Sequence, residues 1–323
     1  MKSILRYLNY CRTIQRNKLI YLWIIPTLRC NLECRHCSAW KYADDSELDL
    51  EVLKKNVLSS RIANEAMFIL EGGEFFLYRS YEALLRILAG RKYAIFTNGA
   101  MTDKIIHACQ NYHVSKLIIS IDGRPENNML IRKGSRIEDI AKMLRKIKNK
   151  TEVSINYTIS DYNSPDDLKW VMGFAKGMNL RLELNVYNKL GYLFCENEEK
   201  KIYDIRGLVN NPFVELYNKW LAGKVQIPCV NIRYISSVYP NGNISLCKKK
   251  SELVLGNIYQ TSLDVIWNSE NTRRLQQQHY SCNDCWLKCQ RGFDAHLYYR
   301  YTRFLPKFFI EKFLRNAELT AKK

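Results

Sequence analysis

Cys30-Asn31-Leu32-Glu33-Cys34-Arg35-His36-Cys37 is the stretch that decides how this chain folds. Its three cysteines, spaced x3 and then x2, stand directly behind an apolar, strand-like run from Leu19 to Leu28. Iron–sulfur clusters are normally held by four cysteines. A compact loop with only three implies a 4Fe-4S cluster whose remaining iron is open to a chelating ligand, and an open iron is a catalytic position. A structural zinc knuckle is the alternative for the loop alone, but zinc usually takes Cys-x2-Cys pairs and four ligands.

Outward from the loop, from Tyr21 to Tyr187, short apolar runs alternate with longer amphipathic ones. This is the pattern of repeated strand–helix units around a parallel sheet. It predicts strands over Tyr21 to Pro26, Ala66 to Leu70, Tyr93 to Thr97, Lys116 to Ile121, Val153 to Ile159 and Leu182 to Tyr187. Helices are expected over Leu50 to Ser59, Tyr81 to Leu88, Asp103 to Asn111, Ile137 to Ile147 and Pro165 to Lys176, the last opened by Ser164-Pro165 as a cap followed by proline at the first helical position. Active sites of such folds gather at the carboxyl ends of the strands, and the cysteine loop sits at one. Glu71-Gly72-Gly73-Glu74, Thr97-Asn98-Gly99 and Ser120-Ile121-Asp122-Gly123 close the next three strands. In the first of these, paired glycines permit close backbone approach and positive φ, and a carboxylate suits an ammonium group.

The cysteine loop resembles the signature of the radical S-adenosylmethionine (SAM) superfamily, and the strand count is similar to that family's partial (β/α)6 TIM-like barrel. The resemblance implies that Cys30, Cys34 and Cys37 hold the catalytic cluster and that the amino and carboxylate groups of SAM occupy its open iron. A reduced cluster would then cleave SAM to methionine and a 5'-deoxyadenosyl radical that takes a hydrogen atom from substrate, while the protein positions the cofactor and shields the radical. Gly72, Gly73 and Glu74 are implied to bind the SAM amino group, although Phe75 stands where the family usually has proline. Asn98, Ser120 and Asp122 fall where the family shapes the cofactor site. Arg132 matches an arginine gripping the SAM carboxylate, a role suited to a planar bidentate donor, and His36 holds the aromatic position beside adenine. His107, His113, His279 and His296 carry no spacing signal.

A second cysteine set follows: Cys229, the hairpin signal Pro240-Asn241-Gly242-Asn243, Cys247, and then Cys282-x2-Cys285-x3-Cys289. It resembles the auxiliary-cluster extension called SPASM, or Twitch in its shortened form. One auxiliary 4Fe-4S cluster on Cys229, Cys247, Cys282 and Cys285 is the economical count, with Cys289 surplus or a substitute ligand and Cys195 a further upstream candidate. Spacing alone also fits zinc on four thiolates; the upstream loop favours iron. Cys11 and Cys109 read as small core residues.

The chain has 323 residues, 47% hydrophobic and 25% charged, enough for one large and one small domain. The expected organisation is an amphipathic lead-in (1–20), a barrel (21–190), a connector (191–228), an auxiliary domain (229–290) and a basic, aromatic tail (291–323). No apolar run reaches membrane-spanning length, and no secretory signal is evident. Eleven clustered cysteines then favour metal binding in a reducing, cytoplasmic setting over disulfides. The net charge of +18, from 50 Lys and Arg against 32 Asp and Glu, points to an acidic substrate, an acidic electron donor such as flavodoxin or ferredoxin, or merely solvated lysine faces. No nucleic-acid motif accompanies it. In the tail, Pro306 is expected to open a helix with Phe309, Ile310, Phe313 and Leu314 on one side, suited to packing on the barrel or contacting a membrane surface.

Among reactions, modification of a ribosomally made peptide by cross-link, epimerisation or oxidation leads by analogy. A dehydrogenase or epimerase of a sugar-like molecule is the second reading, and a zinc-stabilised binding protein is the alternative of another class. The stretch before Cys30 is too short for a peptide-recognition domain, which weighs against the first. Lys248 stands where sulfatase-activating relatives carry an aspartate base, which disfavours that activity.

Overall fold

The structure, a computed structural model, describes residues 18–42, 44–147, 149–188, 190, 201–227, 229, 231–280 and 282–301. Eleven strands are described: β1 (Tyr21–Ile24), β2 (Glu33–Cys34), β3 (Met67–Leu70), β4 (Tyr93–Thr97), β5 (Lys116–Ser120), β6 (Arg132–Lys133), β7 (Glu152–Ile159), β8 (Arg181–Val186), β9 (Ile235–Val238), β10 (Asn243–Ser245) and β11 (Val254–Asn257). Nine form one sheet in the order β11-β10-β9-β1-β3-β4-β5-β7-β8. From β1 to β8 every pairing is parallel, with helices in the connections. Coverage of both sheet faces explains why these strands are rich in Ile, Leu and Val rather than alternating. The six strands of the β1–β8 run match those expected within a residue or two.

The helices depart from expectation in instructive ways. Leu50–Leu53 is α-helical, but the chain then widens into a π turn over Lys54–Leu58. Ser164 caps Pro165–Gly177 in a reciprocal capping box with Asp167, as Ser164-Pro165 signalled. A helix over Pro125–Ile131 and the two-stranded pairing of β2 with β6 were not legible beforehand. That pairing sets Cys34 opposite Arg132.

The C-terminal module is built onto the barrel sheet, because β9 lies parallel to β1 with Trp23 opposite Ser237. β10 and β11 then extend the sheet antiparallel, through a turn in which Gly242 has φ of 78°. Side chains fasten the module to the segment after the cysteine loop: the Asp264 carboxylate accepts from the backbone N–H of Arg61 and Ile62 (3.0 Å each), and the Asn56 amide donates to the carbonyl of Ile258 (2.7 Å). No helix among the described residues is long and apolar enough to cross a membrane. The lead-in up to residue 17, with Cys11, and also Cys195 and the tail beyond Tyr301 with its expected helix, lie outside the described residues.

Candidate active site

The cysteine loop leaves the carboxyl end of β1 and is welded to the turn after β3. Gly73 N–H donates to the Thr27 carbonyl (3.1 Å) and Glu74 N–H to that of Arg29 (2.8 Å). A Cβ on Gly72 would stand 2.3 Å from the Thr27 carbonyl oxygen, and one on Gly73 would stand 2.2 Å from that of Leu28. Neither glycine has positive φ. Of the two reasons for glycine, close approach is the one that operates, and what approaches is the backbone entering the cysteine loop. Phe75 takes the first position of a short 3-10 turn, Phe75–Leu77, capped by the Glu74 side chain. A proline would suit that position equally well, so the substitution leaves the turn intact.

Glu74 is fully enclosed, 1% exposed. Its carboxylate accepts from the Thr97 hydroxyl (2.8 Å) and from the backbone N–H of Asn98 (2.8 Å) and Phe76 (3.2 Å). Burial pushes its pKa up and these donors pull it back. Three of roughly four acceptor positions on the carboxylate are thereby used, leaving one for an ammonium. Asn98 joins the turn to the loop, donating to the Asn31 side chain (2.9 Å) and lying 3.8 Å from the Cys30 sulfur. Ser120 ends β5, half-buried beside Asn156 of β7.

Arg132 is 8% exposed and donates through Nε to Asp122 (2.6 Å). The other Asp122 oxygen accepts from Thr158 N–H (2.8 Å), and the residue is 1% exposed. Asp122 is therefore placed to orient Arg132. Burial pushes the Cys34 thiol up, and the Arg132 guanidinium beside it acts in the opposite direction. Burial raises Cys30 to about 12. Thiols so enclosed ionise only against a compensating positive charge, which an iron centre supplies.

The His36 ring meets Tyr187 edge-on, centroids 6.2 Å apart, and the Tyr187 hydroxyl donates to the His36 carbonyl (3.2 Å). Enclosure first, and Arg132 second, push the imidazole down to about 4, leaving it neutral. Sequence reasoning put an aromatic role there, and a neutral ring is compatible with it.

Cys229, Cys247, Cys282 and Cys285 line one cavity, together with Lys250, His279, Asp284, Gln290 and Arg291. Cys229 N–H donates to the Cys282 carbonyl (3.1 Å). Cys289 does not line that cavity; it lies near Lys248 and Glu71. His279, left without a role by its spacing, is three residues before Cys282, whose N–H its carbonyl accepts (3.0 Å). The side-chain amide of Gln290 and the Nε of Arg291 are buried without hydrogen-bond partners, donors of the kind that sulfur atoms of a cluster accept. Among the described residues no three His, Cys, Asp or Glu side chains close tightly enough on one point to bind a single metal ion.

Between the two cysteine sites lies a contact that sequence spacing did not disclose. Lys248, next to Cys247, is 2% exposed, ion-paired with Glu71 of the glycine turn and 3.6 Å from the centroid of the Trp23 ring.

A family model for the radical SAM superfamily matches residues 24–175, and one for the SPASM iron–sulfur cluster-binding domain matches 229–286. The chain belongs to the radical SAM superfamily and carries a SPASM-type domain. No curated protein matches the sequence significantly. Among solved structures, SuiB of Streptococcus suis bound to S-adenosylmethionine superposes with a TM-score of 0.66 at 15% identity, covering 80% of this chain and 68% of its own. The structure of anSMEcpe with bound S-adenosylmethionine gives 0.56 at 17% identity, covering 94% and 98%. SuiB bound to its precursor peptide SuiA gives 0.58 at 14% identity, covering 83% and 70%. As a radical SAM protein with a SPASM domain, the chain takes a 4Fe-4S cluster, SAM and an auxiliary cluster as cofactors.

Proposed function

We propose that this radical SAM protein abstracts a hydrogen atom from a peptide substrate, with Cys30, Cys34 and Cys37 holding the catalytic cluster. The observation that carries the reading is the weld between loop and turn: the Gly73 and Glu74 N–H groups bonded to Thr27 and Arg29 fix the three thiols in register with the open acceptor of Glu74. When bound there, the cluster would supply the electron for reductive cleavage of SAM.

This chain's own residues orient and exclude. Glu74 receives the ammonium of the methionine end, and Arg132, held by Asp122, receives its carboxylate. Asn98 fixes Cys30 and Asn31, Ser120 lies at the ribose or carboxylate end, and the neutral His36 ring flanks adenine. Cys229, Cys247, Cys282 and Cys285, which line one cavity, would hold the auxiliary cluster, and a full set of four thiolates would leave SAM no place to chelate there. Support for a peptide comes from the relatives of like fold, SuiB with precursor peptide SuiA and anSMEcpe with the Kp18Cys peptide. The protein acts in the cytoplasm on this reading.

Anaerobic reconstitution tests the assignment. Replacing Cys30, Cys34 and Cys37 together with alanine should lower iron by one cluster, abolish reductive SAM cleavage and leave the auxiliary iron in place. Cleavage surviving in that variant refutes it, and stoichiometric zinc without sulfide in the unaltered protein would establish the binding-protein alternative instead.

A further inference from the structure

Two lysines of the C-terminal module pair with carboxylates of the barrel, and each stands beside a cysteine. Lys288, which precedes Cys289, reaches Glu183 of β8 (3.1 Å). Lys248, which follows Cys247, reaches Glu71. The two contacts fall on strands four places apart in the sheet, β8 and the end of β3, and they differ in what they hold. Glu183 lies within its strand. Glu71 is the residue immediately before Gly72-Gly73-Glu74. Its backbone N–H is committed to the Ile24 carbonyl (3.1 Å), so its side chain is the part that the module grips. The path from Cys247 to that carboxylate is short and buried. Cys247 N–H donates to the hydroxyl of Ser245 (3.3 Å), whose carbonyl accepts from the Ser236 hydroxyl (2.8 Å). Ser245 stands opposite Ser237, and Ser237 opposite Trp23. The Lys248 ammonium rests 3.6 Å from the centroid of the Trp23 ring, an attraction that strengthens where water is excluded.

We propose that Lys248 is a positioning residue for SAM: through Glu71 it ties the glycine turn to the Cys247 segment, so that the affinity of Glu74 for the SAM ammonium depends on occupancy of the auxiliary site. The inference rests on the reading that gives Glu74 the ammonium and Cys247 a place in the auxiliary set. Backbone bonds to Thr27 and Arg29 fasten the turn to the cysteine loop, and the ion pair with Lys248 fastens it to the module. A binding group works only when supporting contacts hold it to within about 0.5 Å of its productive place. A Cys247 segment fixed by its ligands would hold Lys248, and with it the turn, in one place; an empty auxiliary site would leave that segment less constrained. Coupling of this kind between two sites is reciprocal and typically changes affinity about five- to 150-fold. The competing account is that the pair merely glues the module to the barrel, and Lys288 provides the comparison, because it glues the same module without touching the turn.

The test measures SAM binding by equilibrium dialysis on the reconstituted full chain, at matched loading of the catalytic cluster, beside stability in urea. Lys248→Met/Glu71→Gln removes both charges together, and Glu71→Gln alone, which keeps the shape of the side chain, serves if the double variant does not fold. Lys288→Gln loosens the module at β8. The double variant should bind SAM about five- to tenfold more weakly even though it keeps most of its stability, and Glu71→Gln should show a similar loss, whereas Lys288→Gln should stay within about twofold. Emptying the auxiliary site with Cys282→Ala/Cys285→Ala should weaken SAM binding to a similar degree while the pair is intact. Added to the double variant, the same change should cost less than about twofold more, because the tether is already cut. Unchanged SAM affinity in the pair variants overturns the proposal, as does an equal loss in Lys288→Gln, which would mark a general loosening. Losses from the pair and from the auxiliary cysteines that multiply independently overturn it too. Normal SAM binding by Glu74→Gln would refute the reading of the ammonium site itself, and the proposal would fall with it.

Discussion

Replacing Lys248 with methionine should destabilise the protein severely, and adding Glu71→Gln should restore most of the loss. The lysine is 2% exposed and the Glu71 side chain 11%, so neither charge recovers much hydration when its partner is removed. Deleting one member of a buried ion pair costs about 3–5 kcal/mol, because the survivor loses the charge that compensates its burial. Contact with the Trp23 ring at 3.6 Å adds up to about 2 kcal/mol when desolvated, and the two terms overlap rather than sum. Methionine nearly matches the lysine stem in volume, so little of the effect comes from a cavity. In the double variant neither charge of the pair remains, and the loss should shrink to about 1–2 kcal/mol, what is left being lost hydrogen bonding and the ring contact. Urea unfolding followed by circular dichroism, on equal cluster loading, measures all three proteins. A single-variant loss under about 1 kcal/mol, or a double variant as unstable as the single, would refute the argument that the pair is buried and mutually dependent.

Arg132→Ala should weaken SAM binding by roughly ten- to a hundredfold, from a charged hydrogen bond of about 1.5–3 kcal/mol, and Asp122→Asn should weaken it less by loosening the arginine; equilibrium dialysis against the reconstituted protein decides, and unchanged affinity for Arg132→Ala places the anchor elsewhere. Glu183 of β8 gives a pH prediction. Burial opposes its ionisation, but Lys288 and Lys116, at 3.1 and 2.6 Å, outweigh that and draw its pKa down to about 2. A carboxyl depressed in the folded state stabilises above the unfolded value near 4.5 and loses that contribution as pH falls from 4.5 toward 2. The gap in urea midpoint between the unaltered protein and Glu183→Gln should therefore narrow from pH 5 to pH 3, and a constant gap counts against the pairing.

The barrel strands were legible in the sequence because a strand buried on both faces has to be almost continuously apolar, as Tyr93–Thr97 and Lys116–Ser120 are, and Gly and Pro punctuate what lies between. The cysteine loop was legible for a chemical reason: ligand count and spacing are local properties of the chain. So was the membership of Cys229, Cys247, Cys282 and Cys285 in one group, which the structure gathers around one cavity. Pairings between residues far apart were not legible. Nothing local in Gly72-Gly73 says that the clashing neighbour is the carbonyls of Thr27 to Arg29, nothing in Asp122 says that its partner is Arg132, and nothing in Lys248 points to Glu71, 177 residues away. Local sequence determined which residues can ligate, cap and turn, because those capacities reside in side chains and their immediate spacing. The tertiary structure alone decided which of them are desolvated together, because burial and partner choice depend on how β9 joins β1 and how the cysteine loop lies on the glycine turn.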